Sequence, residues 1–340
     1  MRAEVPAATI GPEPVLHDAA IIGGGPAGLA AAMYCGLRGL RPVVFEAQAF
    51  GGQLVNLYPS KPVNNFPAQH EIVSGELARL LAEQAAHFGA ELRERESVEF
   101  VGGSDGRFMV RTGGCEILAR TVVLALGRGR FSPRKLGIEN EDRYAGRGLV
   151  YHLPPAAEIQ ARRVVVVGGG NTAVDTALAL RRVALEVTLV HRRTGLRAYQ
   201  HSLERLATSD VRVLTNAEVV ELGGDGVLEW VHVAVENREL LELPADLLLV
   251  SIGQVPNLHG LQTWDLSLDL HGSHLPVSPS MQTAIDGVLA AGDFVDYPGK
   301  VAAITTAVAE GSTAAASIER HLKAGQPHLR SAWAGGGEVR

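Results

Sequence analysis

One local pattern occurs twice in this chain, and that repeat constrains the fold more than any other feature. An apolar run leads into a glycine triplet and then into a helix-compatible stretch at 18–38, DAAIIGGGPAGLAAAMYCGLR, and again at 163–182, RVVVVGGGNTAVDTALALRR. Each copy is followed by a second apolar run, RPVVFEA and EVTLVHRR. Strand, glycine turn, helix and strand make a βαβ unit, and its glycines suit a chain that must turn tightly and admit a phosphate. Two copies imply two dinucleotide-binding domains. A length of 340 residues accommodates both, each with its own core.

The order of the remaining runs predicts how the domains are connected. A helix is expected near 74–88, then a hairpin region with Gly102, Gly103, Gly113 and Gly114 as turn residues, then the strand TVVLALG ending at Gly127. After the second unit come ADLLLVSIG, GVLAAGDF and a helix from about 302 to 322. Glycine-bearing segments at 127–133 and 253–260 read as two crossings, which makes the first domain discontinuous with the second inserted into it. The expected division is a loose leader over 1–14, one domain over 15–129 and 257–327, the other over 130–256, and a tail over 328–340. The fold class is α/β, with two Rossmann-like, three-layer ββα nucleotide-binding domains.

Bulk properties exclude several function classes. Net charge is −6 with no Lys/Arg run, which argues against nucleic acid as a partner. No unbroken run of about 18 apolar residues is present, so no membrane span is expected, and the proline- and glutamate-bearing N-terminus lacks a signal-like core. A cytoplasmic location is the expectation. Cys35 and Cys115 are the only cysteines, and the 12 histidines show no metal-binding spacing, so neither a disulfide framework nor a metal site is expected.

The loops themselves carry the chemistry. Gly23, Gly25 and Gly28 form G-x-G-x-x-G between strand and helix, aiming a helix N-terminus at a pyrophosphate. Glu46 stands at the end of the next strand, where an acid accepts from a ribose diol. In the second copy Gly168 and Gly170 are followed by Ala173, and the next strand ends in His191, Arg192 and Arg193 where an acid would otherwise stand. An acid repels a 2′-phosphate and guanidinium groups bind one, so NADP(H) is expected over NAD(H), with Arg197 close enough to join. His191 reads as a structural or adenine-side residue. Asp293 stands at the end of the strand in GVLAAGDF, directly before a loop and helix.

Taken together, IIGGGPAGLAAAMY, FGGQL, VVVVGGGNTAVDTAL, HRRTGLRA, VSIGQVPN and GVLAAGDF resemble the low-molecular-weight thioredoxin reductase family over nearly the whole chain. That resemblance implies FAD in the first domain, with Asp293 on its ribityl or phosphate part and the Gly51, Gly52, Gln53 and Leu54 segment beside the isoalloxazine; Gly127 belongs to the same set. It implies NADP(H) in the second, with Asn171 and Thr172 in the loop and Arg192, Arg193 and Arg197 on the 2′-phosphate. The C-x-x-C pair of those reductases is missing: GLVYHLPPAAEIQARRVVVV stands in its place, with no cysteine between 116 and 340. A dithiol relay needs two sulfurs within bonding geometry.

The chain therefore looks like the class of ferredoxin/flavodoxin-NADP reductases that is thioredoxin-reductase-like, through GGQLVNLYPSK, FSPRKLGIE and DYPGK, although PVNNFP is closer to the thiol-bearing enzymes. This implies a homodimer with Tyr58 stacked on one flavin face and a C-terminal residue, His328 or Trp333, over the other. It also implies hydride transfer from NADPH to FAD N5 and single-electron transfer to ferredoxin or flavodoxin, with no catalytic side chain beyond the flavin. A diaphorase acting on quinones or chelated iron, a reductase of low-molecular-weight disulfides, and a non-catalytic redox sensor are the alternatives. Arg128, Arg130, Arg134 and Lys135 form a local basic cluster, read as a solvated hinge.

Overall fold

The computed structural model describes residues 15–69, 71–236, 239–257 and 259–324, with backbone only at 130–132, 254, 256–257 and 259. The leader and the tail bearing His328 and Trp333 lie outside the described residues.

A first sheet sets Glu91–Glu94, Pro42–Glu46, Leu16–Ile22 and Glu116–Leu124 side by side in parallel. Val43, Val44 and Phe45 are all buried, as expected for a parallel strand covered on both faces. The long strand Glu116–Leu124 serves two layers. Its first residues pair antiparallel with Arg107–Thr112, which continues to Val98–Ser104, while its last three pair parallel with Val288–Ala290. That last partner comes from the chain beyond the second unit, so the first sheet is completed by a returning segment. The helix Pro26–Leu37 is apolar almost all round and lies buried between this sheet and the long helix Ile304–Ala324. Their close approach depends on Gly311, where a Cβ would stand 2.2 Å from the carbonyl oxygen of Ala27.

The second unit repeats the plan. Leu149–Val150, Leu247–Val250, Arg163–Val167, Glu186–Val190 and Arg212–Leu214 form an all-parallel sheet, and Ala217–Gly223, Trp230–Val235 and Glu239–Pro244 form an antiparallel layer against it. Helix Asn171–Leu180 packs on the other face. The two crossings meet: Arg130–Pro133 pairs antiparallel with Gln254–Asn257.

Three boundaries differ from expectation, for backbone reasons. The strand expected to reach Gly127 stops at Leu124, because Gly127 and Gly129 take φ of 59° and 75° and turn the chain. The strand before Asp293 stops at Ala290, because Gly292 takes φ of 85°, leaving Asp293 in a turn instead of at a strand end. The last helix starts at Ile304, two residues late.

Candidate functional site

The two glycine loops open on one cavity of about 2360 Å³, lined from both units. Within each loop the glycines have separate physical reasons. At Gly23, φ is 107° and a Cβ would lie 2.2 Å from the Ala125 carbonyl oxygen; at Gly28 it would lie 1.9 Å from that of Gly23. These two permit the turn and the helix–strand contact. Gly25 has nothing within 4 Å of a Cβ, so it faces open space and leaves room for a ligand against the backbone. It caps helix Pro26–Leu37 without a side-chain hydrogen bond, which leaves the first N–H groups free for an anion. The second loop repeats this logic: Gly168 has φ of 151° against Ser251, Gly170 is open, and Gly170 caps Asn171–Leu180 with no side-chain bond. Ala173 is fully buried in the third position.

Glu46 is only 9% exposed and holds the first loop in shape: its Oε2 accepts from Gly24 N at 2.8 Å and its Oε1 from Gln48 N at 2.8 Å. Burial pushes this carboxyl up from the ordinary range, and the backbone donors oppose the shift. Its remaining lone-pair capacity is available to a diol. Nearby, Gly52 takes φ of 56° and opens the short helix Gln53–Asn56, in which Leu54 is buried, and Gln53 Nε2 donates to Asp293 Oδ2 at 3.2 Å. A Cβ on Gly127 would come within 3.8 Å of Gln53 Nε2. Tyr58, Asp293 and Gly127 line the same part of the cavity. Burial, and then the Asp293 charge, push the Tyr58 hydroxyl up.

In the second loop the His191 ring lies against Gly169, where a Cβ would stand 2.3 Å from it. Burial lowers its pKa; a backbone hydrogen bond with Gly195 opposes this, and the charges of Arg193, Arg192 and Arg197 lower it further. The ring is thus neutral at pH 7. Arg192, Arg193 and Arg197 are exposed, line the cavity and form no ion pair among the described residues. Asn171 Oδ1 accepts from Tyr199 N, and Thr172 lines the opening. The cavity therefore gathers every expected site residue within the described residues except Gly28 and Ala173, whose part is helix packing, and Gly51, which lies against Ala78.

Several features escaped the sequence reading. Among the described residues three buried side-chain nitrogens lack a hydrogen-bond partner, Arg128 Nε, His191 Nε2 and Trp264 Nε1, and all three belong to residues that line this cavity. Buried polar nitrogens without partners are uncommon; those of Arg128 and Trp264 are donors, and that of the neutral His191 ring can accept. Together with the open glycines they fit a bound nucleotide. Arg128 is not the solvated hinge residue expected: it pairs with Asp293, Nε to Oδ2, at 3.8 Å. Lys135 does stand in solvent, paired with exposed Asp142.

Glu310, 3% exposed on the long helix, accepts from Gly292 N at 2.7 Å, Tyr297 Oη at 2.8 Å and the Lys300 ammonium, and so fixes the turn that presents Asp293. An acid beside a glycine in an otherwise apolar helix, AVAEGSTAA, was the available signal. Lys61 pairs with Asp175 at 3.1 Å, tying the first unit to the second loop's helix. The two thiols are free. Cys35 is buried in its helix, with its pKa pushed up to about 12 by burial, and Cys115 sits in the hairpin turn beside Glu96.

Among the described residues no helix is long and apolar enough to cross a membrane. The family model for pyridine nucleotide-disulphide oxidoreductases matches residues 17–311. A ferredoxin–NADP reductase of Streptococcus pyogenes serotype M5 is 39% identical over 303 residues, covering 88% of this chain and 91% of that protein. Lactococcus lactis thioredoxin reductase in its FR conformation superposes with a TM-score of 0.81 at 27% identity, and Streptococcus pyogenes thioredoxin reductase with 0.58 at 28%. Both matches cover 91% of this chain and 99% of the other. The α/β architecture with two nucleotide-binding units is the one these reductases share, and the match of family model and relatives over most of the sequence places the chain in the pyridine nucleotide-disulphide oxidoreductase family.

Proposed function

We propose that this protein is an FAD-dependent NADPH oxidoreductase that passes electrons to ferredoxin or flavodoxin. The observation that carries the reading is the single cavity onto which both open-glycine loops face, with an acid behind the first and unpaired arginines behind the second. FAD would be held by Gly23, Gly25, Glu46, Gly52, Gln53, Tyr58 and Asp293, and NADPH by Gly168, Gly170, Asn171, Thr172, His191, Arg192, Arg193 and Arg197. The corresponding domains are 15–129 with 257–327, and 130–256. Bound flavin supplies the hydride acceptance and single-electron release that no side chain here can supply. The chain's own residues do the placing. Glu46 orients the loop and offers lone pairs to a ribose, the helix N-termini at Pro26 and Asn171 face phosphates, and the exposed arginines distinguish a 2′-phosphate from a hydroxyl.

Ferredoxin or flavodoxin is favoured over a thiol acceptor because Cys35 is buried in the helix core, Cys115 sits in the hairpin turn, and no cysteine stands between 116 and 340. The 39% identity to a ferredoxin–NADP reductase supports the same choice. The unequal superposition on two thioredoxin reductases of equal coverage supports a turn of one unit on the other during turnover. A homodimer in the cytoplasm, with His328 or Trp333 over the flavin, completes the reading on the strength of the resemblance.

A panel of acceptors tests it. Protein reduced anaerobically by NADPH is mixed in turn with ferredoxin, flavodoxin, thioredoxin and a quinone, and flavin absorbance near 450 nm is followed. Fastest reoxidation by ferredoxin or flavodoxin at micromolar concentration is expected. Preference for the quinone makes the protein a diaphorase, and preference for thioredoxin refutes the reading.

A further inference from the structure

Arg128 carries a charge into a part of the cavity where charge matters. Its Nε is buried without an acceptor, and its guanidinium takes part in no hydrogen bond among the described residues. Its one ion pair there is with Asp293, and at 3.8 Å this is longer than a hydrogen bond. The Arg128 side chain is 40% and the Asp293 side chain 21% exposed, and the same Asp293 oxygen is shared with Gln53 Nε2. Both charges act on Tyr58, Asp293 raising its hydroxyl pKa and Arg128 lowering it, so acid, base and ring surround one spot. An arginine with free donors in a partly dry site is suited to an oxygen-bearing anionic ligand.

We infer that Arg128 is a ligand of the bound flavin nucleotide and the charge partner that keeps Asp293 from opposing flavin reduction; the inference rests on the FAD assignment above. A hydride carries two electrons and one proton from the nicotinamide, which leaves as NADP+, and the flavin ring gains one negative charge. A carboxylate this close to Gln53 and Tyr58, the residues expected against the ring, disfavours that added charge, and a guanidinium favours it most where water is scarce. Gln53 cannot fill this role, since its amide bears no charge. The nucleotide fingerprint glycines cannot either, since they offer only backbone.

The test uses full-length, FAD-loaded protein. Arg128→Met, Asp293→Asn and the double variant are titrated anaerobically against a reference dye, giving the equilibrium constant for two-electron reduction. Arg128→Met should lower it at least tenfold, equal to about 30 mV for a two-electron couple. Asp293→Asn should raise it, and the double variant should return within about threefold of wild type. A value for Arg128→Met within twofold of wild type, with FAD retained, overturns the inference. Should Arg128→Met fold by circular dichroism but release FAD, Arg128→Lys decides. At least tenfold recovery of FAD affinity by flavin fluorescence supports a charge contact with the nucleotide, and no recovery overturns it. A wild-type chain that takes up no flavin ends the FAD assignment before any Arg128 variant is made, so the two failures are read separately.

Discussion

Replacing Glu310 by Gln perturbs the turn that carries Asp293 without removing volume. In the native protein one carboxylate oxygen serves Gly292 N and the other serves both Tyr297 Oη and Lys300. A glutamine has one acceptor oxygen. Turned toward Lys300, it sets its NH2 against the Gly292 N–H; turned toward Gly292, it sets its NH2 against the ammonium. Either way a buried donor loses its acceptor, which costs about 1–3 kcal/mol. Lys300, with its side chain 12% exposed, also loses its counter-charge, and removing one partner of a buried pair costs about 3–5 kcal/mol. Partial solvent access at Lys300 places the expected total near 3 kcal/mol. For a unit of 150–250 residues each kcal/mol lowers Tm by about 2–4 °C, so a fall of about 6–12 °C is predicted by differential scanning calorimetry. The partner-removal argument also predicts that Lys300→Met in the Glu310→Gln background restores part of the loss. A fall under about 2 °C for Glu310→Gln would refute the reasoning, since the buried pair would then contribute nothing.

Arg192→Ala and Arg193→Ala should each raise KM for NADPH about tenfold, or 1.4 kcal/mol, and leave KM for NADH within about twofold; equal losses for both nucleotides would deny these residues a part in 2′-phosphate recognition. Burial holds the pKa of His17 below its ordinary 6.5, with Glu91 opposing. A pKa lowered in the folded state gives stability that is present above 6.5 and lost as pH falls through the folded value. Tm should therefore drop more steeply below about pH 6.5 in wild type than in His17→Gln, and parallel curves would rule this out. Cys35→Ala with Cys115→Ser should retain NADPH-driven ferredoxin reduction within about twofold in a steady-state assay; loss of that activity in a folded double variant would bring a thiol back into the mechanism.

What could be read in the sequence was whatever depends on local pattern. Gly23, Gly25 and Gly28, and again Gly168 and Gly170, announce their turns because a strand, a tight bend and a helix must follow each other within a dozen residues. The return of the chain was read from the glycine-bearing crossings at 127–133 and 253–260, and in the structure Val288–Ala290 pairs with Glu116–Leu124. Arg128 was misread because sequence shows four basic residues near a crossing and cannot show that one of them bends back to an acid 165 positions away. Glu310 was missed for the same reason, since its partners Gly292, Tyr297 and Lys300 come together only when the long helix docks. Asp293 was expected at a strand end and stands in a turn, because a glycine's positive φ is a property of the fold around it.

The three unpaired nitrogens on Arg128, His191 and Trp264 have a consequence for the life of the protein outside its reaction. All of them belong to residues that line the cavity, so on the proposed assignment a bound nucleotide would supply partners that the polypeptide alone does not. A ligand bound only by the native state stabilises it by mass action, about 2.7 kcal/mol at a hundredfold excess over its dissociation constant. Differences of 1–2 kcal/mol change how much of a protein survives proteolysis in a cell. On the proposed assignment, flavin and nicotinamide supply would set the abundance of the enzyme as well as its rate.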